Sequence, residues 1–427
     1  MTDYGFGTRC VHAGQAEPDP ETGARAPPIY QTSSYVFEDA DTAAQRYALE
    51  DDGNVYSRFD NPTVRTLEKR LASLEGAVDA VATGSGMAAL DAATLVLAAA
   101  GDNVVSSSSI YGGTHSYLAN TASRRGIDAR FVDTLDPDAY AEAIDDDTAY
   151  VHVETIGNPS LVVPPFEEIA DVAHDHGVPL FVDNTFGTPA LCRPLEHGAD
   201  VVWESTTKWI HGSGTTVGGV LADGGSFPWG DYPEKYPEMG GQNPAFDANF
   251  AERFGDRAFS VAARQRGLRS LGDGQKPFDA WATLQGTETL SLRMERHCEN
   301  ALTVAEHLRD HPDVAWVSYP GLPDHETHDL AEQYLDGGFG GVLTFGLEGG
   351  FEAGRRFCEE TDLAQFLANI GDAKTLVIHP ASTTHAQLSE EEQRASGVSP
   401  DLIRMSVGIE DPEDVVADVD AAIDRIT

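Results

Sequence analysis

The stretch VDAVATGSGMAALDAATLVLA, residues 78–98, passes from a short apolar run through a glycine turn into an alanine- and leucine-rich run. The spacing predicts a strand over 78–83 and a helix over 86–100. In the turn between them, Thr83-Gly84-Ser85-Gly86-Met87-Ala88-Ala89, the glycines let backbone N–H groups approach an anion, and the helix N-terminus favours its charge. A dinucleotide-binding turn is the rival reading, since Gly84-x-Gly86-x-x-Ala89 fits its loose form. That fingerprint wants an acid about 20 residues on, at the end of the next strand. Here the next strand runs into Ser106-Ser107-Ser108-Ser109. A single phosphate is the better guest, with a plain tight turn as the alternative. No GxxxxGK is present, and Ser85 lacks the GxSxG frame of a hydrolase nucleophile.

Outward from this turn the chain alternates. Strands are predicted at 78–83, 103–107, 129–132, 148–154, 178–183, 200–204 and 217–221, with helices between most of them, such as 166–176. Asn61-Pro62 opens a helix whose apolar stripe is Val64, Leu67, Leu71 and Leu74, and Gly76 ends it. Such alternation predicts an α/β fold with right-handed crossovers and a mainly parallel sheet. The first ~60 residues read as an irregular arm. Residues 222–280, rich in Gly, Pro, Phe and Tyr, read as a long excursion over the surface or the site mouth. A helix is expected at about 287–310, then strands near 314–319, 340–347, 375–378 and 402–408 and a closing helix at 412–426. The expected division is an arm over 1–60, a large domain over 61–285 and a smaller α/β domain over 286–427.

A second cluster lies in Phe181-Val182-Asp183-Asn184-Thr185, where an apolar strand delivers a carboxylate at its C-terminal end, the edge at which α/β sheets bind ligands. After the next short strand comes Ser205-Thr206-Thr207-Lys208-Trp209. Lys208 is one of five lysines beside 23 arginines. Arg can replace a surface Lys, but not one that must lose its proton and form an imine. A phosphate-cradling turn, a strand-end Asp, a hydroxyl pair and a Lys together match what pyridoxal phosphate requires.

The 427 residues include 70 Asp or Glu and 28 Lys or Arg, a formal net charge of −42. That charge opposes nucleic acid and anionic membranes. Disorder is excluded by the 41% apolar residues, which fall in periodic blocks. A uniformly acidic, Lys-poor chain suggests a cytoplasm with molar salt, where the Debye length falls to about 3 Å and self-repulsion is screened. Cys10, Cys192, Cys298 and Cys358 lie far apart with no metal-like spacing, so free thiols are expected and no metal. The N-terminus, MTDYGFGTRC, has no signal pattern and no apolar run approaches a membrane span, so a cytoplasmic protein is expected.

The chain resembles, over nearly all its length, the Cys/Met-metabolism family of pyridoxal-phosphate enzymes. The resemblance rests on Tyr56-Ser57-Arg58 with Asn61-Pro62-Thr63, TGSGMAA at 83–89, YGGT at 111–114, ETIGNP at 154–159, VDNTF at 182–186, STTKW at 205–209 and IRMSVGIE at 403–410. The segment 222–280, the total length and LANIGDAKTLVIHPASTTH at 367–385 make it most similar to the O-acetylhomoserine sulfhydrylase branch. This implies the aspartate aminotransferase-like fold of type I. It also implies pyridoxal 5′-phosphate as cofactor and γ-replacement on an acyl-homoserine by sulfide or a thiol. Cystathionine γ-synthase and γ-lyase are the sibling alternatives. Methionine γ-lyases carry Cys at the second position after the ring tyrosine, where this chain has Gly113.

Carried over position by position, Lys208 would hold the cofactor and then shuttle protons, and Asp183 would pair with the pyridine nitrogen. Ser85, Gly86, Met87, Ser205 and Thr207 would surround the phosphate. Tyr56 and Arg58 would reach the phosphate of the neighbouring subunit, in a homo-oligomer with a shared site, expected as a tetramer. Tyr111 would stack on the ring and exchange protons, Asn158 would touch the ring edge, and Arg404 with Asn369 would bind the substrate carboxylate. His211 stands where Gly is expected, and it carries no assigned role. The histidines at 174, 176, 325 and 328 read as solvated.

Overall fold

A computed structural model describes residues 4–386, 389, 393 and 397–426; the first three residues of the expected arm lie outside it. Seven strands form the larger sheet: β1 (Asp79–Thr83), β2 (Asn103–Ser107), β3 (Asp128–Val132), β4 (Thr148–Glu154), β5 (Leu180–Asp183), β6 (Val201–Glu204) and β7 (Gly219–Asp223). Their order is β1-β7-β6-β5-β4-β2-β3. Only β7 runs antiparallel to its neighbours, so β1 to β6 all end at the same edge.

Side chains on the central strands alternate between two buried layers, as a sheet covered on both faces requires. Val151, Val153, Val182 and Val202 point into one apolar cluster, while Tyr150, Phe181, Val201 and Trp203 point into the other. The helix Pro62–Glu75 starts as expected: the Asn61 side chain accepts the Thr63 N–H at 3.0 Å, Pro62 fills the first turn, and Gly76 closes the end at φ 78°. Ser85 caps the helix Gly86–Leu97 through the Ala88 N–H at 3.1 Å.

Residues 222–280 differ from the expected surface excursion. Phe227, Trp229, Tyr236, Met239, Phe250 and Phe259 are buried against Trp203 and Leu221 of the large sheet. Phe227 and Trp229 lie with ring centroids 4.6 Å apart, and Trp229 stacks on Phe259. The aromatic density that suggested a site mouth is a second core, because burying such rings outweighs the loop-like glycines and prolines around them. A short hairpin, β8 (Gln242–Asn243) with β9 (Ala248–Asn249), lies within it. The arm also differs in part. Residues Phe6–His12 form a helix, and Cys10 is fully buried in the first core cluster. Val36, by contrast, is 95% exposed.

The smaller sheet contains β10 (Val314–Ser318), β11 (Val342–Leu347), β12 (Gln365–Phe366), β13 (Leu376–Ile378) and β14 (Ile403–Ser406), in the order β10-β11-β14-β13-β12. All its pairings are antiparallel except β12 with β13. Two residues of β12 are too few to show an alternation, and the sequence reading has no strand there. One face packs on the long helix Leu290–Arg309 and the closing helix Pro412–Ile426 through Val304, Leu308, Val415 and Val419. Among the described residues, no helix is long and apolar enough to cross a membrane.

Candidate active site

The common strand edge gathers most of the expected residues. Asp183 is the last residue of β5, Glu154 the last of β4 and Glu204 the last of β6. Lys208 follows β6 by four residues.

Asp183 is buried, and its Oδ1 accepts the Thr185 N–H at 2.9 Å. Burial pushes its pKa up to about 7, because no cation among the described residues pairs with it. The Thr185 hydroxyl meanwhile accepts the Ser205 N–H at 2.9 Å, so one threonine orients both the acid strand and the lysine loop. Thr185 has no role in the sequence reading, although it lies two residues from the acid in the motif quoted.

Lys208 Nζ donates to Asn369 Oδ1 at 2.5 Å. Its pKa is pushed down to about 8, first by burial and then by the positive charge of Arg404. Arg404 Nη1 donates to Asn158 Oδ1 at 3.1 Å and, among the described residues, forms no ion pair. Burial brings its pKa down to about 10. Two neighbouring cations without a carboxylate partner are costly unless an anion joins them. The loop carrying Asn369 can approach Lys208 because residue 371 is glycine: its φ is +71°, and a Cβ there would lie 2.9 Å from Lys208 Cβ.

The glycine turn lies against the lysine loop. A Cβ on Gly86 would stand 2.9 Å from Ser205 Cβ, so only glycine leaves this approach open. The N–H groups of Gly86 and Met87 open the helix and have no acceptor within it. Thr207, on the lysine loop, is held by Gly218, whose N–H its Oγ1 accepts at 3.1 Å. Tyr111 is 47% exposed, with its backbone N–H on Glu154 Oε1 at 2.6 Å. Its ring lies over Gly113, where a Cβ would meet Tyr111 Cε1 at 2.3 Å.

Tyr56 and Arg58 are not drawn into this group. Both are exposed, and the Arg58 guanidinium stacks over the Tyr56 and Phe59 rings at 5.4 and 5.8 Å. His211 is buried and holds its loop through Thr215 Oγ1 at 2.7 Å and Ser213 Oγ at 2.9 Å. Of the histidines read as solvated, His174 and His176 are exposed, whereas His325 and His328 are half-buried: burial pushes the His325 pKa down to about 4, and His328 Nδ1 lies 2.8 Å from the Pro320 carbonyl.

The arrangement fits pyridoxal phosphate on three counts. A buried carboxylate lacks a cation where a protonated ring nitrogen would supply one. A lysine amine of lowered pKa has no acid beside it. A clear backbone cradle meets two hydroxyl side chains, with Gly86 as the decisive absence of a Cβ.

The model of the Cys/Met metabolism PLP-dependent enzyme family matches residues 7–424. The chain belongs to that family. Its members use pyridoxal phosphate, and Lys208, Asp183, Gly86, Met87, Ser205 and Thr207 are the residues that would hold it. The chain is 51% identical over 421 residues to a homocysteine synthase of Schizosaccharomyces pombe, covering 98% of each chain. It is 49% identical over 421 residues to O-acetyl-L-homoserine sulfhydrylase 1 of Thermus thermophilus, covering 98% of this chain and 99% of the relative. A crystal structure from Campylobacter jejuni, described as an O-acetylhomoserine (thiol)-lyase and carrying a pyridoxyl-lysine monophosphate, superposes with TM-score 0.94. It is 38% identical, and the match covers 99% of this chain and 100% of that one. The family's type I α/β fold is therefore the fold of this chain.

Behind Asp183 lies a second carboxyl pair that the sequence reading does not contain. Glu75 and Glu204 are both fully buried, Glu75 Oε1 accepts Asn184 Nδ2–H at 3.0 Å, and among the described residues neither Glu204 oxygen has another hydrogen-bond donor. Burial raises both, Glu75 to about 7, and Glu204 is held well above the usual carboxylate range by burial and by the Glu75 charge it faces. A carboxyl with a raised folded-state pKa binds its proton more tightly in the folded chain. Its stabilising effect is complete below about pH 4.3 and is lost as pH climbs through 7. Glu204→Gln, which keeps a donor toward Glu75 without a charge, is expected to be about 2 kcal/mol more stable than wild type at pH 8. At pH 4.5 the two should unfold alike, which urea titrations at both pH values would measure.

Proposed function

We propose that this enzyme catalyses γ-replacement on O-acetyl-L-homoserine, with sulfide or methanethiol as nucleophile, releasing acetate and forming homocysteine or methionine. The observation that carries this reading is the Lys208–Arg404 cation pair at the strand edge that also ends in Asp183, with Asn369 and Asn158 holding the two cations. The names of the relatives support the choice of substrate.

Pyridoxal phosphate, when bound, supplies an electron sink for the substrate's Cα and Cβ. The chain's own groups do the rest. Arg404 grips the α-carboxylate with its fork and fixes which hydrogen faces Lys208. Lys208 Nζ, freed as substrate enters, takes the Cα proton; its lowered pKa leaves a useful fraction unprotonated near neutrality. A Cβ proton follows, and acetate leaves Cγ with the C–O bonding pair. Sulfide then adds at Cγ, and the two protons return to Cβ and Cα. Tyr111, within electrostatic reach of Arg404, would cover the ring and share in these transfers.

O-acetyl-homoserine with sulfide should give homocysteine and acetate in equal amounts. If 2-oxobutyrate and ammonia dominate instead, the protein is a γ-lyase. If cysteine replaces sulfide as the better acceptor, it is a cystathionine γ-synthase. A Cys at 113, the residue associated with methionine γ-lyases, would collide with the Tyr111 ring as it lies here. Arg404→Lys keeps the charge and loses the fork, so kcat/KM should fall about 100-fold, mostly through KM.

The arm over residues 1–60 is proposed to lend Tyr56 and Arg58 to a neighbouring subunit, in a cytoplasmic tetramer. Their exposure in one chain and the absence of a carboxylate partner for Arg58 among the described residues support this. The net charge of −42 supports a halophilic setting. Activity and assembly should be full in molar salt and decline in dilute buffer, where the Debye length lengthens to about 30 Å at 0.01 M. Light scattering and the sulfide assay across a salt series would check both.

A further inference from the structure

We propose that Glu154 is a positioning residue that ties the Tyr111 turn and the Asn158 loop to the end of β4, and so sets the ring-covering tyrosine and the carboxylate clamp in one geometry. The proposal rests on the functional reading above and deepens it. Glu154 is 5% exposed and sits in register opposite Asp183 on the neighbouring strand. Its Oε1 takes the Tyr111 N–H at 2.6 Å, and the backbone N–H of Asn158 also faces its carboxyl group. Asn158 in turn holds Arg404 at 3.1 Å. One buried carboxyl thus reaches two loops, one after β2 and one after its own strand.

Tyr111 needs such an anchor. Its side chain is half exposed, and it begins a five-residue helix, Gly112–Ser116, with no side-chain cap of its own. The two loops also meet through the Ser109 and Ser160 hydroxyls, so the serines bring the loops together while Glu154 fixes the backbone at Tyr111 and Asn158. A short hydrogen bond from a backbone amide to a buried carboxyl leaves little freedom in the Tyr111 backbone. With that backbone held, the Tyr111 ring lies over Gly113, whose missing Cβ leaves it room.

The test compares Glu154→Met, which keeps volume and removes the acceptor, with Glu154→Gln, which keeps an acceptor and removes the charge. In the cofactor-free chain, exchange of the Tyr111 amide hydrogen should rise about tenfold in the Met variant and stay near wild type in the Gln variant. The dissociation constant for pyridoxal phosphate, measured by protein fluorescence, should follow the same order. In the loaded enzyme, kcat should fall about 100-fold for Met with a smaller change in KM, and Gln should restore most of it. Should the Met variant not fold, Glu154→Asp, with its acceptor drawn back, should show the same losses at intermediate size. Unchanged Tyr111 exchange in Met or Asp, or a Gln variant as impaired as Met, would overturn the proposal. Exchange and cofactor affinity need no substrate, so a wrong choice of substrate would show in the turnover assay alone.

Discussion

Lys208→Ala is expected to lose at least about 10⁴-fold in turnover, with the chain still folded. The side chain lies where two loops converge, and no other amine is placed to act in its stead: the remaining lysines are 69, 235, 276 and 374, on other parts of the chain. Borohydride treatment of the loaded wild type should leave the pyridoxyl group on the peptide containing Lys208, and mass spectrometry would locate it. The alanine variant should leave no lysine labelled in stoichiometric yield. Lys208→Arg should be as inactive as alanine, although it keeps the positive charge. A guanidinium does not lose its proton at working pH and so cannot form an imine or take a proton from carbon. A label on any other lysine would remove the chemical basis of the proposed function.

Asp183→Asn should lower kcat by about 10³-fold while pyridoxal phosphate remains bound. The amide keeps the shape and the Thr185 contact, but it cannot hold a proton on the ring nitrogen. In the free chain the acid is held up to about 7 by burial. A cation placed against it reverses that shift, so the ionised acid and the bound cofactor stabilise each other. The free wild-type chain should therefore take up pyridoxal phosphate with release of protons in the window from about pH 4 to 7, and the Asn variant should not. Calorimetry in buffers of differing ionisation enthalpy would count them. If the Asn variant turns over within a few-fold of wild type, Asp183 does not serve the electron sink.

Much of this site is legible in the chain because its chemistry sits in short local signals. TGSGMAA, VDNTF and STTKW each hold a strand end and the residues after it, and a strand end in an α/β sheet faces the ligand edge by topology alone. The helix caps at Asn61 and Ser85 are equally local. Glu154 carried the same signal as Asp183, an acid closing an apolar strand, within the quoted ETIGNP motif. Its function is invisible there because its partner, the Tyr111 amide, lies 43 residues away. The Glu75–Glu204 pair is a similar case, joining a helix end to a strand end. The 222–280 segment failed for a different reason. Gly and Pro report local backbone preference, whereas the placement of Trp229, Tyr236 and Phe259 follows from an uncovered sheet face that no local window contains.

Residue order alone carries the parallel α/β core, the cofactor's expected attachments along the chain and the acidic excess, since periodicity, capping and composition are properties of neighbours in the chain. Folding alone sets Lys208 on Asn369, places Arg404 near it with no acid paired to it among the described residues, and lets one buried carboxyl reach both Tyr111 and Asn158. Those contacts join residues 43 to 246 positions apart. Their energies depend on burial and distance, which exist once the two sheets have been brought together.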